Sequence, residues 1–212
     1  ELDDTMCVEK NTIQCYTERF DDKVYLGAFR SPHNSRNNIV VLHNIISDKM
    51  RKYFNLGKLC VAVNVIHTDI QDRLNGCDFD SDSIYVTSQD SIVNHAFYCY
   101  ENYPTIVNNI PKESNSYSNT MLDYANVDNN LAKSQRAIGE SSNLAQIALT
   151  YTYNFSDQKF TDYVCILSVI AQVSIDSAKR RFDINISDEI KRIKKDMDLK
   201  NNGYPKFWGI IK

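Results

Sequence analysis

The segment Asn75-Gly76-Cys77-Asp78-Phe79-Asp80-Ser81-Asp82 sets three carboxylates at alternate positions between two apolar runs, one ending at Ile66 and the other opening at Ile84. Like charges so close together repel one another, and a bound cation is the simplest remedy. In an extended strand alternate side chains share one face, whereas a tight loop brings all of them towards a common point. Both arrangements present hard oxygen ligands. No His or Cys stands nearby at metal-ligand spacing, so Mg²⁺, with Mn²⁺ as its substitute, suits the segment better than zinc. The flanking apolar runs pin the loop between two strands of a sheet or barrel.

A solvated acidic turn is the competing reading, because charge runs usually lie on the surface. An EF-hand loop does not fit: counted from Asp78 it needs Gly at the sixth position and Glu at the twelfth, and Ser83 and Gln89 stand there. Paired aspartates also serve sugar-nucleotide transferases, but nothing else in the chain points to a nucleotide sugar.

Upstream of the loop the signals are those of strands: Lys23–Phe29, Asn38–Leu42 and Leu59–Ile66, with Ser83–Thr87 just beyond it. These runs are short, rich in β-branched residues and separated by polar or turn-forming stretches. A short helix fits Ile46–Phe54, and Ile92, Val93, Ala96 and Phe97 recur at helical spacing over residues 90–101. The run Asn108–Asn119, dominated by Asn, Ser and Pro, reads as an exposed loop. Beyond it the pattern turns helical over Asp123–Tyr153, Phe160–Arg180 and Ser187–Asp198, the last opened by Ser187 as N-cap with Asp188 and Glu189 in its first turn. The expected fold class is α+β, organised as a β-barrel-like region over 1–105, a loop over 106–120, helices over 121–200 and an aromatic tail over 201–212.

The chain has 212 residues, 42% of them hydrophobic, which is ample for a buried core. A formal net charge of −3 gives no global attraction to nucleic acid or to anionic membranes, so a polyanion must be held by local basic clusters or by metal. Six scattered cysteines without a Cys-x-x-Cys pair, and no signal-like segment, point to a reducing, cytoplasmic setting. No stretch reaches the ~18 apolar residues of a membrane span, so no membrane partner is expected. A chain opening on Glu1, with a strand-forming region close behind, reads as a piece cut from a longer protein.

The run Gly76-x-Asp78-Phe79-Asp80-Ser81-Asp82 resembles the metal-binding loop of the two-barrel RNA polymerases, which join the largest subunit of cellular transcription enzymes to the silencing RNA-dependent RNA polymerases and single-chain phage relatives. Two further segments are similar to that family. Arg30-Ser31-Pro32 resembles the Arg-x-Pro that precedes the loop in the same barrel, and Leu167–Lys179 resembles a helical Leu-x-x-x-Ala-x-Asp-x-x-Lys segment. Together they run from about Tyr25 to Lys179. One position departs: Ser81 stands where the family has the glycine that lets the backbone turn.

The resemblance implies a double-psi β-barrel-like N-terminal half followed by an α-helical half. It also implies nucleotidyl transfer in RNA synthesis from nucleoside triphosphates on a nucleic-acid template, with Asp78, Asp80 and Asp82 as the catalytic and metal-binding set. Arg30 would lie near the nucleotide's sugar, and Pro32 and Lys179 would also serve substrate binding. A second barrel, on another domain or subunit, carries lysines across the active site in that family; no second copy of the pattern exists here, so the isolated fragment is expected to bind metal and polymerise poorly. A metal-dependent phosphohydrolase or nuclease, and a non-catalytic nucleic-acid-binding module descended from a polymerase, are the rival functions.

Other candidates come from pattern alone. Lys133 and Arg136, three apart on one helical face, can hold template or product phosphates, or simply be solvated. Gly139 costs a helix about 1 kcal/mol relative to Ala, which suggests tight contact with the barrel. His33, Asn34 and Asn37 follow Arg30 closely enough to line its pocket. Tyr204–Trp208 reads as an aromatic anchor for the C-terminus.

Overall fold

In the computed structural model, which describes residues 12–78, 82–112, 118–177 and 182–211, five strands appear before residue 90. They are β1 (Ile13–Tyr16), β2 (Tyr25–Phe29), β3 (Val40–Asn44), β4 (Ala62–Val63) and β5 (Tyr85–Thr87), with helices α1 (Asp48–Tyr53), α2 (Ile70–Arg73) and α3 (Asp90–Asn102). The strands form one curled, half-barrel sheet in the order β4-β1-β3-β2-β5, with β1 and β3 parallel and the other pairs antiparallel. The chain divides into two compact units, Glu1–Thr105 and Ile106–Lys212. The fold is α+β, a sheet-based first half followed by a mostly helical second half.

The run Ile39–Leu42 is apolar at every position, a pattern that needs cover on both faces of a strand. Val40 and Leu42 join Ile13, Cys15, Leu26, Ala28, Ile70 and Leu74 inside the curl, while Ile39 and Val41 meet Ala96 and Cys99 of α3 on the other side. Each fully buried aliphatic side chain of this kind contributes about 1.5–3 kcal/mol. α3 can lie close because Gly27 faces it: a Cβ there would stand 3.1 Å from Cγ2 of Ile92.

Asn44, fully buried at the end of β3, seals the loop between β1 and β2. Its Oδ1 accepts from the Thr17 amide at 2.9 Å, and its Nδ2 faces the carbonyls of Thr17, Phe20 and Asp21 at 3.0–3.2 Å.

The second unit carries α4 (Met121–Asn154), α5 (Gln158–Asp176), α6 (Ile186–Asp196), α7 (Leu199–Asn202) and α8 (Trp208–Ile211). α4 and α5 form a hairpin around Leu144, Ile147, Ala148, Tyr151, Phe160, Val164, Leu167 and Ile170, to which α6 adds Ile190 and Ile193. Serines inside these helices cap their own polar atoms: Ser141, Ser168 and Ser174 donate to the carbonyls of Ala137, Val164 and Ile170. The first buried side chain of α4 is Ser134; from Met121 to Lys133 none is buried. Trp208 packs against the helical core, and Tyr151 donates its hydroxyl to the carbonyl of Gly203.

Several sequence expectations are corrected. The strand expected over Leu59–Ile66 shrinks to Ala62–Val63, because β4 is an edge paired only with Cys15 and Tyr16 and Leu59 stays 89% exposed. The last long helix starts two residues earlier than expected, with Asn185 rather than Ser187 as the cap; Asn185 Oδ1 accepts from the Asp188 amide at 3.3 Å. Gly139 has open space where a Cβ would stand, so no tight contact explains it among the described residues.

Two stability measurements follow from this packing. Asn44→Leu leaves the buried loop groups without partners, and urea unfolding should show a loss on the order of 3 kcal/mol. Gly139→Ala should raise the stability of the helical unit by about 1 kcal/mol, since nothing opposes the added methyl.

Candidate functional site

The aspartate loop is delivered by the end of α2. Leu74 follows the helix, Asn75 takes a left-handed conformation at φ 57°, and Gly76 follows at φ 69°. The Gly76 amide bonds back to the Gln71 carbonyl at 2.8 Å and the Asn75 amide to that of Asp72 at 3.1 Å, the paired bonds of a Schellman ending. Two successive left-handed residues turn the chain sharply away from the helix, which is why Asn and Gly stand there.

That short helix is fixed from two sides. On one side, Asp69 accepts from Arg73 Nε at 2.8 Å, from the Tyr100 hydroxyl at 3.0 Å and from Thr105. The Arg73 guanidinium lies 3.9 Å over the Tyr100 ring and donates to the Tyr103 carbonyl. Burial works against the charge on Asp69, but the hydrogen bonds from Thr105 and Arg73 and the Arg73 charge outweigh it and hold the carboxyl below its ordinary range. Tyr100, buried beside that carboxylate, is pushed up to about 12. On the other side the turn between β2 and β3 grips the helix end: Asn38 donates to the Arg73 carbonyl at 3.0 Å, and Asn75 donates to the Pro32 carbonyl. The Ser31–Pro32 bond in that turn is cis.

Arg30, just past β2, closes the arrangement. Its Nη2 lies 2.5 Å from Asp82 Oδ1, each side chain only 14% exposed. Its Nη1 donates to the carbonyls of Asn75 at 3.2 Å and Leu74 at 3.4 Å. The other Asp82 oxygen, Oδ2, accepts from the Asp78 amide at 2.7 Å. Two segments singled out in the sequence thus meet: Arg30 and Pro32 from one, Asp78 and Asp82 from the other. Asp80 lies outside the described residues, as do Phe79 and Ser81.

Carboxylate oxygens are the hard donors that Mg²⁺ takes. The Cys77 thiol, pushed up to about 11 by burial and then by the charge of Asp82, stays protonated beside them. The donor chemistry of Asp78 and Asp82 therefore fits Mg²⁺, although the guanidinium of Arg30 holds one of the Asp82 oxygens. Among the described residues no group of three His, Cys, Asp or Glu side chains stands together as a metal cage.

The neighbouring turn is unusually polar for an interior. Asn34, Ser35, Asn37 and Asn38 are all buried, and the Ser35 hydroxyl lies within hydrogen-bond distance of Asn37 Oδ1 and Asn38 Oδ1. Nδ2 of Asn34, Nδ2 of Asn37, Oδ1 of Asn75 and Nη1 of Arg73 are buried without a hydrogen-bond partner among the described residues. Buried polar atoms of this kind are ordinarily met by ordered water or a bound group. His33 stacks on Phe29 at 5.2 Å, and burial, then the charge of His95, holds it below its ordinary pKa.

The remaining candidates lie in the second unit. Lys133 is exposed and borders a surface pocket of about 240 Å³ with Ser134, Ser177 and Ser187. Arg136 pairs with Glu140 at 2.8 Å on the same helix and is 83% exposed. Lys179 lies outside the described residues. The cysteines among the described residues are free thiols, and no helix there is long and apolar enough to cross a membrane.

Sequence reasoning missed Asn38, Asp69, Arg73 and Tyr100; the one signal in the sequence is the i,i+4 spacing of Asp69 and Arg73. No family model matches the chain, and no curated protein or solved structure matches it.

The depressed Asp69 carboxyl contributes stability that is present above its unfolded-state pKa and is lost as pH falls through the folded-state value. Asp69→Asn should therefore be less stable than the parent chain at pH 7, and the gap should close below about pH 4. Urea unfolding at the two pH values measures it.

Proposed function

We propose that the chain is a catalytic fragment of a two-barrel RNA polymerase, a nucleotidyltransferase whose Mg²⁺ is carried by Asp78, Asp80 and Asp82. In this reading the curled sheet is part of a double-psi β-barrel. The fragment works with nucleic acid, nucleoside triphosphates and a second barrel domain or subunit outside this chain. The observation that carries the reading is the ion pair between Arg30 and Asp82. It joins the two segments that resemble the polymerase barrel, although the turn from β2 and the end of α2 reach that point by separate routes.

When bound, Mg²⁺ lowers the pKa of an attacking hydroxyl and offsets charge on the triphosphate. The chain's own contribution is positioning. The Schellman ending of α2 and the Asn75 bond to the Pro32 carbonyl fix where the loop begins, just before Asp78. Arg30 supplies a fixed positive charge beside them. Lys133, Arg136 and Lys179 are the basic residues assigned to phosphates of template or product; an exposed, locally paired Arg136 would have to exchange Glu140 for phosphate to serve.

Anomalous diffraction from a crystal soaked in Mn²⁺ should give a peak against Asp78 and Asp82. With the second barrel supplied, RNA synthesis on a template should depend on Mg²⁺ and fall by at least about 10²–10³-fold in Asp80→Asn. Mg²⁺-dependent cutting of labelled RNA by the chain alone would assign a nuclease instead. Absence of any Mn²⁺ peak at millimolar concentration would sink the catalytic assignment.

A further inference from the structure

We propose that Arg30 is the built-in counter-cation of the aspartate loop: its guanidinium occupies Asp82 until a divalent metal displaces it, so that Arg30 sets the affinity of the site for metal. The inference rests on the metal reading above but goes beyond it, because it assigns Arg30 a role in metal loading that precedes any nucleotide.

The geometry is that of a seat already taken. Asp82 uses one oxygen for Arg30 Nη2 at 2.5 Å and the other for the Asp78 amide at 2.7 Å. Both partners are 14% exposed, so water screens their attraction less than it would at an open surface. Arg30 is not a loose side chain that happens to reach an acid. Its Nη1 is tethered to the carbonyls of Leu74 and Asn75, the residues from which the loop departs. A tether of this kind keeps the guanidinium beside Asp82 even after Nη2 is displaced, ready to return when metal leaves. The Asp78 side chain is exposed, which gives an entering cation its first contact. An ion that then takes Asp82 Oδ1 must exchange for Nη2, and that exchange subtracts from its binding free energy. Nη2 is released next to the metal, where it can face an anionic group.

This predicts an effect of unusual sign. A residue that merely holds the loop in shape weakens metal binding when it is removed, whereas a competing cation strengthens it. Mn²⁺ titrations followed by electron paramagnetic resonance on the whole chain should show Arg30→Gln binding about tenfold tighter than the parent, Arg30→Lys near the parent, and Asp82→Asn binding weakly or not at all, with circular dichroism reporting the fold of each.

A folded Arg30→Gln that binds Mn²⁺ equally or more weakly overturns the proposal while the metal reading stands. Absence of binding by both the parent and Arg30→Gln overturns the two together. A readout on the parent chain covers the case in which Arg30→Gln fails to fold. In ¹⁵N spectra of the arginine side chains, rotation about the Arg30 Nε–Cζ bond should be slow without metal and speed up on adding Mg²⁺. Shifts of the Asp78 and Asp82 amides with no change at Arg30 overturn the proposal.

Discussion

Burial of β3 on both faces is the constraint on which the first unit depends. Val40 and Leu42 are locked into the curl while Ile39 and Val41 are held by α3, and a slip of one residue would exchange the two sets. The two ends of that strand then become fixed points. At one end Asn38 ties the preceding turn to α2; at the other Asn44 closes the loop between β1 and β2. The aspartate loop inherits its position from the first of these, through a helix of only four residues that could not hold itself.

Two ion pairs meet the two ends of that helix, and they differ in what surrounds them. Arg73 and Asp69 are enclosed by a tyrosine ring, two hydroxyls and a backbone carbonyl, so the charge on each is answered by fixed groups and the pair serves to weld α2 to α3. Arg30 and Asp82 stand at the mouth of a loop whose neighbouring carboxylate, Asp78, is exposed. The first pair joins α2 to α3; the second joins the residue after β2 to the far side of the aspartate loop.

What could be read from the sequence followed from periodicity and short-range chemistry. The β-branched run Asn38–Leu42 announced a strand, though not that both its faces would be covered, and the long helical stretches of the second half were visible in their spacing. Leu59–Ile66 misled because β-branched residues report a preference for extended backbone and not the presence of a neighbour to pair with. The start of α6 was misplaced because Asn185 and Ser187 are both good caps, and the earlier one brings Ile186 into the helix, where it packs on the core with Ile190 and Ile193. Within the Asp69–Arg73–Tyr100 cluster the i,i+4 spacing of Asp69 and Arg73 stands in the sequence, but Tyr100 belongs to α3 and joins them only when α2 meets that helix.

α4 runs unbroken for 34 residues, yet its two parts obey different physics. From Ser134 onward the helix is one wall of a hydrophobic core and unfolds only when that core does. Its first thirteen residues include no fully buried side chain, only the half-buried Asp123, Val127 and Asn130, and a helix of that length with so little tertiary support is marginal in water. The Thr120 cap and the local charge pattern are what hold this stretch, and such terms are worth about 1 kcal/mol each. Amide protons along α4 should accordingly exchange with solvent on a gradient, fast near Met121 and slow beyond Leu144. The free end can fray or straighten at a cost far below that of global unfolding. A surface with that property takes its final shape from whatever lies against it.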